Sequence, residues 1–140
     1  MRCRLLTTVP GRAVVRTARR AASAAISRGI CTHGDFSPRN WVWDPQRRTL
    51  GLIDFESATH APAVQDLVWL FGAIWPIRPD LREVFLAGYG RALTADEHRA
   101  LLLLTTRLAV SYLNSGIARG EPVLIDRGRD ALGHLARARV

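Results

Sequence analysis

The 140-residue sequence contains no lysine; all twenty basic residues are arginine. That excludes a Walker-type Gly-Lys-Ser/Thr loop and any site in which a lysine ammonium pairs with nucleotide phosphates. Cysteine is nearly as scarce. Cys3 and Cys31 are the only two, too few for a disulfide framework and in no metal-ligand spacing, so a reducing cytoplasm is the expected setting. Long apolar runs are missing as well. Leu101 to Leu104 and Leu108 to Val110 are interrupted by Thr105, Thr106 and Arg107, so no run approaches the ~20 residues of a bilayer span and no membrane partner is expected. His33, His60, His98 and His134 do not cluster, which argues against a two-metal phosphoesterase centre.

Acid is absent from one end only. Residues 1–30 hold seven arginines and no Asp or Glu, whereas residues 31–140 hold thirteen arginines against twelve acids. The net charge of +8 therefore belongs mostly to the N-terminal segment. That segment has no aromatic residue on which a base could stack, so a nucleic-acid partner is not expected. The chain divides into an Arg/Ala-rich segment, 1–28, and a domain, 29–140. Pro10-Gly11 breaks the first, and a helix is expected from about Ala13 to Ser27. The same composition suits an organelle transit peptide or the readout of a shifted gene start.

What is present is concentrated between Cys31 and Glu56. His33-Gly34-Asp35-Phe36-Ser37-Pro38-Arg39-Asn40 places an amide five residues after a carboxylate, and Asp54 adds a second carboxylate at the end of an apolar run. Phosphoryl transfer needs this kind of set: a carboxylate to orient the attacking hydroxyl, and hard oxygen ligands for magnesium on nucleotide phosphates. Asp35 suits the first role, and Asn40 with Asp54 the second. Between them, Trp41 to Trp43 and Leu50 to Ile53 flank Asp44-Pro45-Gln46-Arg47-Arg48-Thr49. This pattern predicts a hairpin that returns Asp54 to the side of Asn40.

With these residues the sequence resembles the aminoglycoside phosphotransferase and choline kinase group, relatives of the protein kinases that carry His-Gly-Asp in place of His-Arg-Asp. The resemblance continues more weakly through Phe85-Leu86-Ala87-Gly88-Tyr89-Gly90. It implies an α+β, mainly helical fold: a kinase-like C-terminal lobe with a small β-hairpin after the catalytic loop, the N-terminal lobe being absent. It further implies Asp35 as catalytic base, Asn40 and Asp54 as magnesium ligands beside the nucleotide, and Arg39 near the transferred phosphoryl group. Asp66 would cap a helix and brace the catalytic loop, and His33 is read as a structural residue hydrogen-bonded into it. The implied reaction moves the γ-phosphoryl group of ATP or GTP to the hydroxyl of a small molecule. Asp35, Asp54 and Glu56 would suit a cationic acceptor.

The two-lobed members of that group hold a nucleotide-pairing lysine in the smaller lobe. Here the expectation is that another chain supplies that lobe, and that this chain alone consumes no ATP. The alternative is a truncated, non-catalytic remnant.

Downstream, Ser57 to Val64 is expected to be a loop, with Asp66 as N-cap of a helix from Leu67 to about Trp75. Trp69 and Trp75 are read as packing residues. Asp80 with Glu83 has capping-box spacing for a helix to about Arg91 that buries Leu81, Val84, Phe85 and Tyr89. Thr94 with Glu97 repeats the box before a long helix through Leu101, Leu104, Leu108 and Tyr112, with Gly116 and Gly120 at its end. Glu121-Pro122 opens a last helix through Leu124, Leu132 and Leu135.

Overall fold

The computed structural model describes residues 29–137; the helix expected over 13–27 and the role of segment 1–28 lie outside them. The described chain begins with strand β1, Ile30–Thr32, and the loop that follows ends in a 3-10 turn, Pro38–Asn40. Strands β2, Trp41–Asp44, and β3, Thr49–Leu52, pair antiparallel with Trp41 opposite Leu52 and Asp44 opposite Thr49. This is the predicted hairpin. Its turn is fastened by Asp44, whose Oδ1 accepts from the backbone N–H of Gln46 at 2.9 Å and of Arg47 at 3.0 Å, as a short acidic side chain does when it opens a turn.

The stretch read as a loop after Glu56 contains a further strand, β4, Thr59–Ala61, which pairs antiparallel with β1. Two three-residue strands far apart in sequence offer no periodicity to detect, and Pro62 immediately after β4 looks like a loop signal. The chain then runs through a 3-10 helix, Ala63–Leu67, and a π-helical turn, Leu70–Ile74. Asp66 therefore lies inside a helical turn and does not cap one. The flanking Pro62 makes no side-chain cap either.

Helix α1 spans Pro79–Tyr89 and ends on Gly90, whose left-handed conformation lets its N–H reach the carbonyls of Leu86 and Ala87. The expected Asp80 box does not form. Asp80 sits in the first turn, where its carboxylate takes two hydrogen bonds from Arg78 at 2.8 and 2.6 Å, and a fork of that geometry outcompetes a single backbone N–H. Nor does α1 bury its whole predicted face: Phe85 packs against the core, but Val84 is 70% exposed and Leu81 and Tyr89 also reach solvent. Helical spacing marks a face that could be buried, and α1 has a neighbour along only part of it.

Helix α2, Ala95–Arg119, starts on the predicted capping box: Thr94 Oγ1 accepts from Glu97 N at 3.2 Å, and Glu97 Oε2 accepts from Thr94 N at 2.8 Å. It ends on Gly120, with Gly116 still helical. Helix α3, Pro122–Arg137, folds back along it. The two approach closely at Gly128, where a β-carbon would lie 2.7 Å from the carbonyl oxygen of Ala109, so only glycine fits. By length and composition α2 could cross a bilayer, with 25 residues and a mean hydropathy of 1.2 over its most apolar window. In the fold it serves as the central packing helix, contacting α3 and the helical turns of 63–74.

The core forms where those turns meet α2. Val64, Leu67, Val68, Leu70 and Trp75 pack on Ala100 and Leu101. Phe36, in the middle of the loop after β1, and Trp41, the first residue of β2, are packed against the same cluster with ring centroids 5.0 Å apart. The polar segment between them, 37–40, is thus pinned to an apolar core on both sides.

Candidate active site

The loop from Thr32 to Asn40 is shaped by polar contacts made by buried groups. Thr32 donates through Oγ1 to the carbonyl of Thr59 at 3.0 Å, which ties the loop's start to β4. His33 is 5% exposed. Its Nε2 lies 2.8 Å from the carbonyl of Ile53, and its Nδ1 accepts from Asp35 N at 3.3 Å. A ring with its proton on Nε2 satisfies both partners at once. Phe55 covers that ring at a centroid distance of 4.6 Å. The imidazole therefore links the loop to the end of the hairpin.

Asp66 braces the loop from the other side. Its Oδ2 accepts from His33 N and its Oδ1 from Gly34 N, both at 2.8 Å. Two backbone N–H groups on one carboxylate are charge-assisted hydrogen bonds, stronger than neutral ones. Gly34 has φ +81°, and a β-carbon there would lie 2.2 Å from the carbonyl oxygen of Ser57. Both the backbone conformation and the close approach require glycine.

Pro38 opens the 3-10 turn that aims Arg39 and Asn40 back at Asp35. Asn40 is 4% exposed, and its Nδ2 donates to the backbone carbonyl of Asp35 at 2.9 Å and to its carboxylate Oδ2 at 3.1 Å. Arg39 also donates to Oδ2 of Asp35. That carboxylate, first by the hydrogen bond and then by its charge, pushes the Arg39 guanidinium above its usual range; Tyr112 and Asp54 act more weakly in the same direction.

The hairpin brings the third residue near. Ile53 N donates to the carbonyl of Asn40 at 3.0 Å, so Asp54 follows directly on the residue bonded to Asn40. Asp54 is exposed and has the left-handed conformation, φ 64° and ψ 64°, which Asp tolerates better than most side chains but which still stores strain.

Asp35, Arg39 and Asn40 are thus in direct contact, whereas Asp54 adjoins them through the backbone and makes no side-chain hydrogen bond to them. Among the described residues no group of three or more His, Cys, Asp or Glu side chains could hold a metal by itself. The donor set still suits magnesium, which takes hard oxygens, keeps waters, and is commonly held by one or two protein groups plus phosphate oxygens. Because Nδ2 of Asn40 is committed to Asp35, the amide oxygen faces away from that carboxylate and remains available as a hard donor.

Beside Asp35 opens a cleft of about 230 Å³ between the loop and α2. Asn40 and Asp54 are not in its walls, while Trp69, Arg107, Ser111 and Tyr112 are. The sequence reading missed all four as site residues. It took Trp69 for a packing residue and Tyr112 for part of a core face. The available signal was Arg107 and Ser111, two polar side chains four residues apart on α2, which share one face.

Comparison with known proteins bears on the fold and the family. The structure of the GDP complex of wild-type aminoglycoside 2'-phosphotransferase-IIIa is similar, with a TM-score of 0.58 and 24% identity over 91% of this chain and 44% of that one. The chain thus spans less than half the length of that structure, and the likeness establishes the fold. Comparison with curated proteins gives no match. The model of the phosphotransferase enzyme family matches residues 12–103, a span that holds the catalytic-type loop, the hairpin, Asp66 and the start of α2. The chain belongs to the phosphotransferase enzyme family.

Proposed function

We propose that this chain provides the catalytic and acceptor-binding lobe for transfer of a nucleoside triphosphate's γ-phosphoryl group to the hydroxyl of a small molecule. The observation that carries the proposal is the position of Asp35. Its carboxylate is held by Asn40 and Arg39, and it lines a cleft with room for a small acceptor.

In the proposed reaction the acceptor oxygen bonds to the γ-phosphorus as its proton passes to Asp35. The bond from that phosphorus to the β,γ-bridging oxygen breaks, and its electron pair leaves with the nucleoside diphosphate. Such a transition state asks for alignment and charge more than for covalent help. Arg39 lies where a cation can meet the developing charge once its pairing with Asp35 is exchanged for one with phosphate. Asn40 and Asp54 would hold magnesium, which neutralises phosphate charge when bound. His33 and Asp66 act through the backbone, keeping Asp35 at the cleft. Because the chain spans less than half of the similar structure, we propose that groups covering the nucleotide come from a further polypeptide segment. The guanine nucleotide in that structure makes GTP a candidate donor beside ATP.

The test is calorimetric titration of the full chain with ATP and GTP, with and without magnesium. Saturable binding that needs the ion and weakens about tenfold or more in Asp54→Asn is expected, since that change removes a charged oxygen ligand. Asp35→Ala should leave nucleotide binding in place. Binding indifferent both to magnesium and to Asp54→Asn would defeat the proposal.

A further inference from the structure

A second chamber of about 360 Å³ lies between α2, α3 and the π-helical turn. It adjoins the cleft beside Asp35, since Val68, Trp69, Leu108 and Tyr112 line both spaces, and together the two fall in the size range of small-molecule sites. One end holds Asp35; the other is bounded by Arg127, Asp130 and His134 on α3.

The charge on these walls decides what the site can take. A polyamine acceptor needs several uncommitted carboxylates. In the first space Asp66 is taken up by two backbone N–H groups and Asp35 is paired with Arg39, while Arg107 adds a positive charge. In the second, Asp130 shares the lining with the cation of Arg127, so these walls carry no net negative charge. Asp54 and Glu56, the other acids expected to favour a cation, line neither space.

We infer that the second chamber binds the body of the acceptor, and that the acceptor is an uncharged, hydroxylated compound with a flat apolar ring system, not a polycation. This inference rests on the proposed function for the position of the reacting hydroxyl, at Asp35. The ring system passes between Trp69 and Tyr112 and fills the chamber beyond.

Binding to the full chain is measured by calorimetry without nucleotide, using 2-naphthyl β-D-glucopyranoside, methyl β-D-glucopyranoside and kanamycin as probes. The naphthyl glucoside should bind about tenfold or more tighter than the methyl glucoside, because it alone buries a ring system. Kanamycin should bind no tighter than the methyl glucoside. Ala131→Phe and Ala73→Leu fill the chamber from opposite walls, and each should cut the naphthyl advantage to about twofold or less while leaving the methyl glucoside unchanged. Two variants are used so that a folding defect in one leaves the other to decide. A naphthyl advantage that survives both, or that disappears instead in Trp43→Ser on the exposed hairpin, would overturn the inference, as would preferential binding of kanamycin. Failure of the catalytic proposal registers separately, in magnesium-dependent nucleotide binding and its response to Asp54→Asn.

Discussion

In the half of the molecule that carries the loop and hairpin, apolar side chains face outward and polar groups hold the chain in place. Trp43 and Phe55 are each 57% exposed, and Ile30, Val42, Leu50 and Ile53 are also open to solvent. What fixes this half is a set of hydrogen bonds between backbone groups and the side chains of Thr32, His33 and Asn40, with Asp66 accepting from two backbone N–H groups. The helical half is built the other way round. Leu101, Ala100 and Ala109 are buried along α2, with Leu135 closing from α3. Burial is non-directional and tolerates small displacements, whereas a hydrogen bond fails within a few tenths of an ångström. A site that must place a carboxylate and an amide on a metal and a phosphate is better defined by the second kind of contact. The first kind supplies the stability that the loop half lacks.

That division predicts unequal damage. Leu101→Ala should have the largest effect on folding, about 2–5 kcal/mol, because it opens a cavity under the helical turns of 63–74 as well as removing buried surface. Urea unfolding followed by far-UV circular dichroism measures it. A loss below about 1 kcal/mol would mean that α2 is not the structural centre and would break the comparison.

Asp66→Asn should come next. The amide keeps one acceptor but turns an N–H₂ group toward a backbone N–H of His33 or Gly34, so one buried donor loses its partner at a cost of about 1–3 kcal/mol. Its mark should be local. Amide exchange at Gly34 and Asp35 should accelerate by more than the change in global unfolding accounts for, while exchange at Leu101 should follow the global value. Equal acceleration at both places would show that the two halves unfold as one unit, and the contrast between polar bracing and apolar packing would lose its meaning.

The parts of this molecule that were legible in its sequence are those set by local chemistry. The spacing of Asp35 and Asn40 around a Pro-containing turn predicted that the two point into one cleft; they lie in hydrogen-bond contact, but of the two only Asp35 lines the cleft. Thr94 with Glu97 predicted the start of α2 to the residue. The parts that were not legible depend on partners distant in the chain. β4 exists because β1 is beside it. Val84 is exposed because nothing covers that side of α1, and Asp80 turns to Arg78 because a guanidinium is nearer than a free N–H. The cleft beside Asp35 belongs to the same class. Trp69 and Tyr112 have the spacing of core residues, and they line one cleft only because the fold brings the 63–74 segment against α2.

The smallest expected effect tests the comparison from the helical side, through the ion pair at the start of α2. Glu97 accepts from Thr94 N at 2.8 Å and from Arg91 at 2.8 and 2.7 Å. The Arg91 hydrogen bonds dominate over the cost of burial, and the carboxyl is lowered from 4.5 to about 2. A depressed folded-state value means that the ionised form stabilises the fold. The contribution is complete above the unfolded value of 4.5 and is lost as pH falls from there through about 2. The effect stays modest because the Arg91 side chain is 48% exposed and water screens the pair. Melting temperature should therefore fall between pH 4.5 and 2, and Glu97→Gln should flatten that slope while lowering the plateau above it. If the variant shows the same slope as the parent chain, the acid sensitivity does not come from the pairing of Glu97 with Arg91, and the start of α2 owes nothing measurable to that carboxylate's charge.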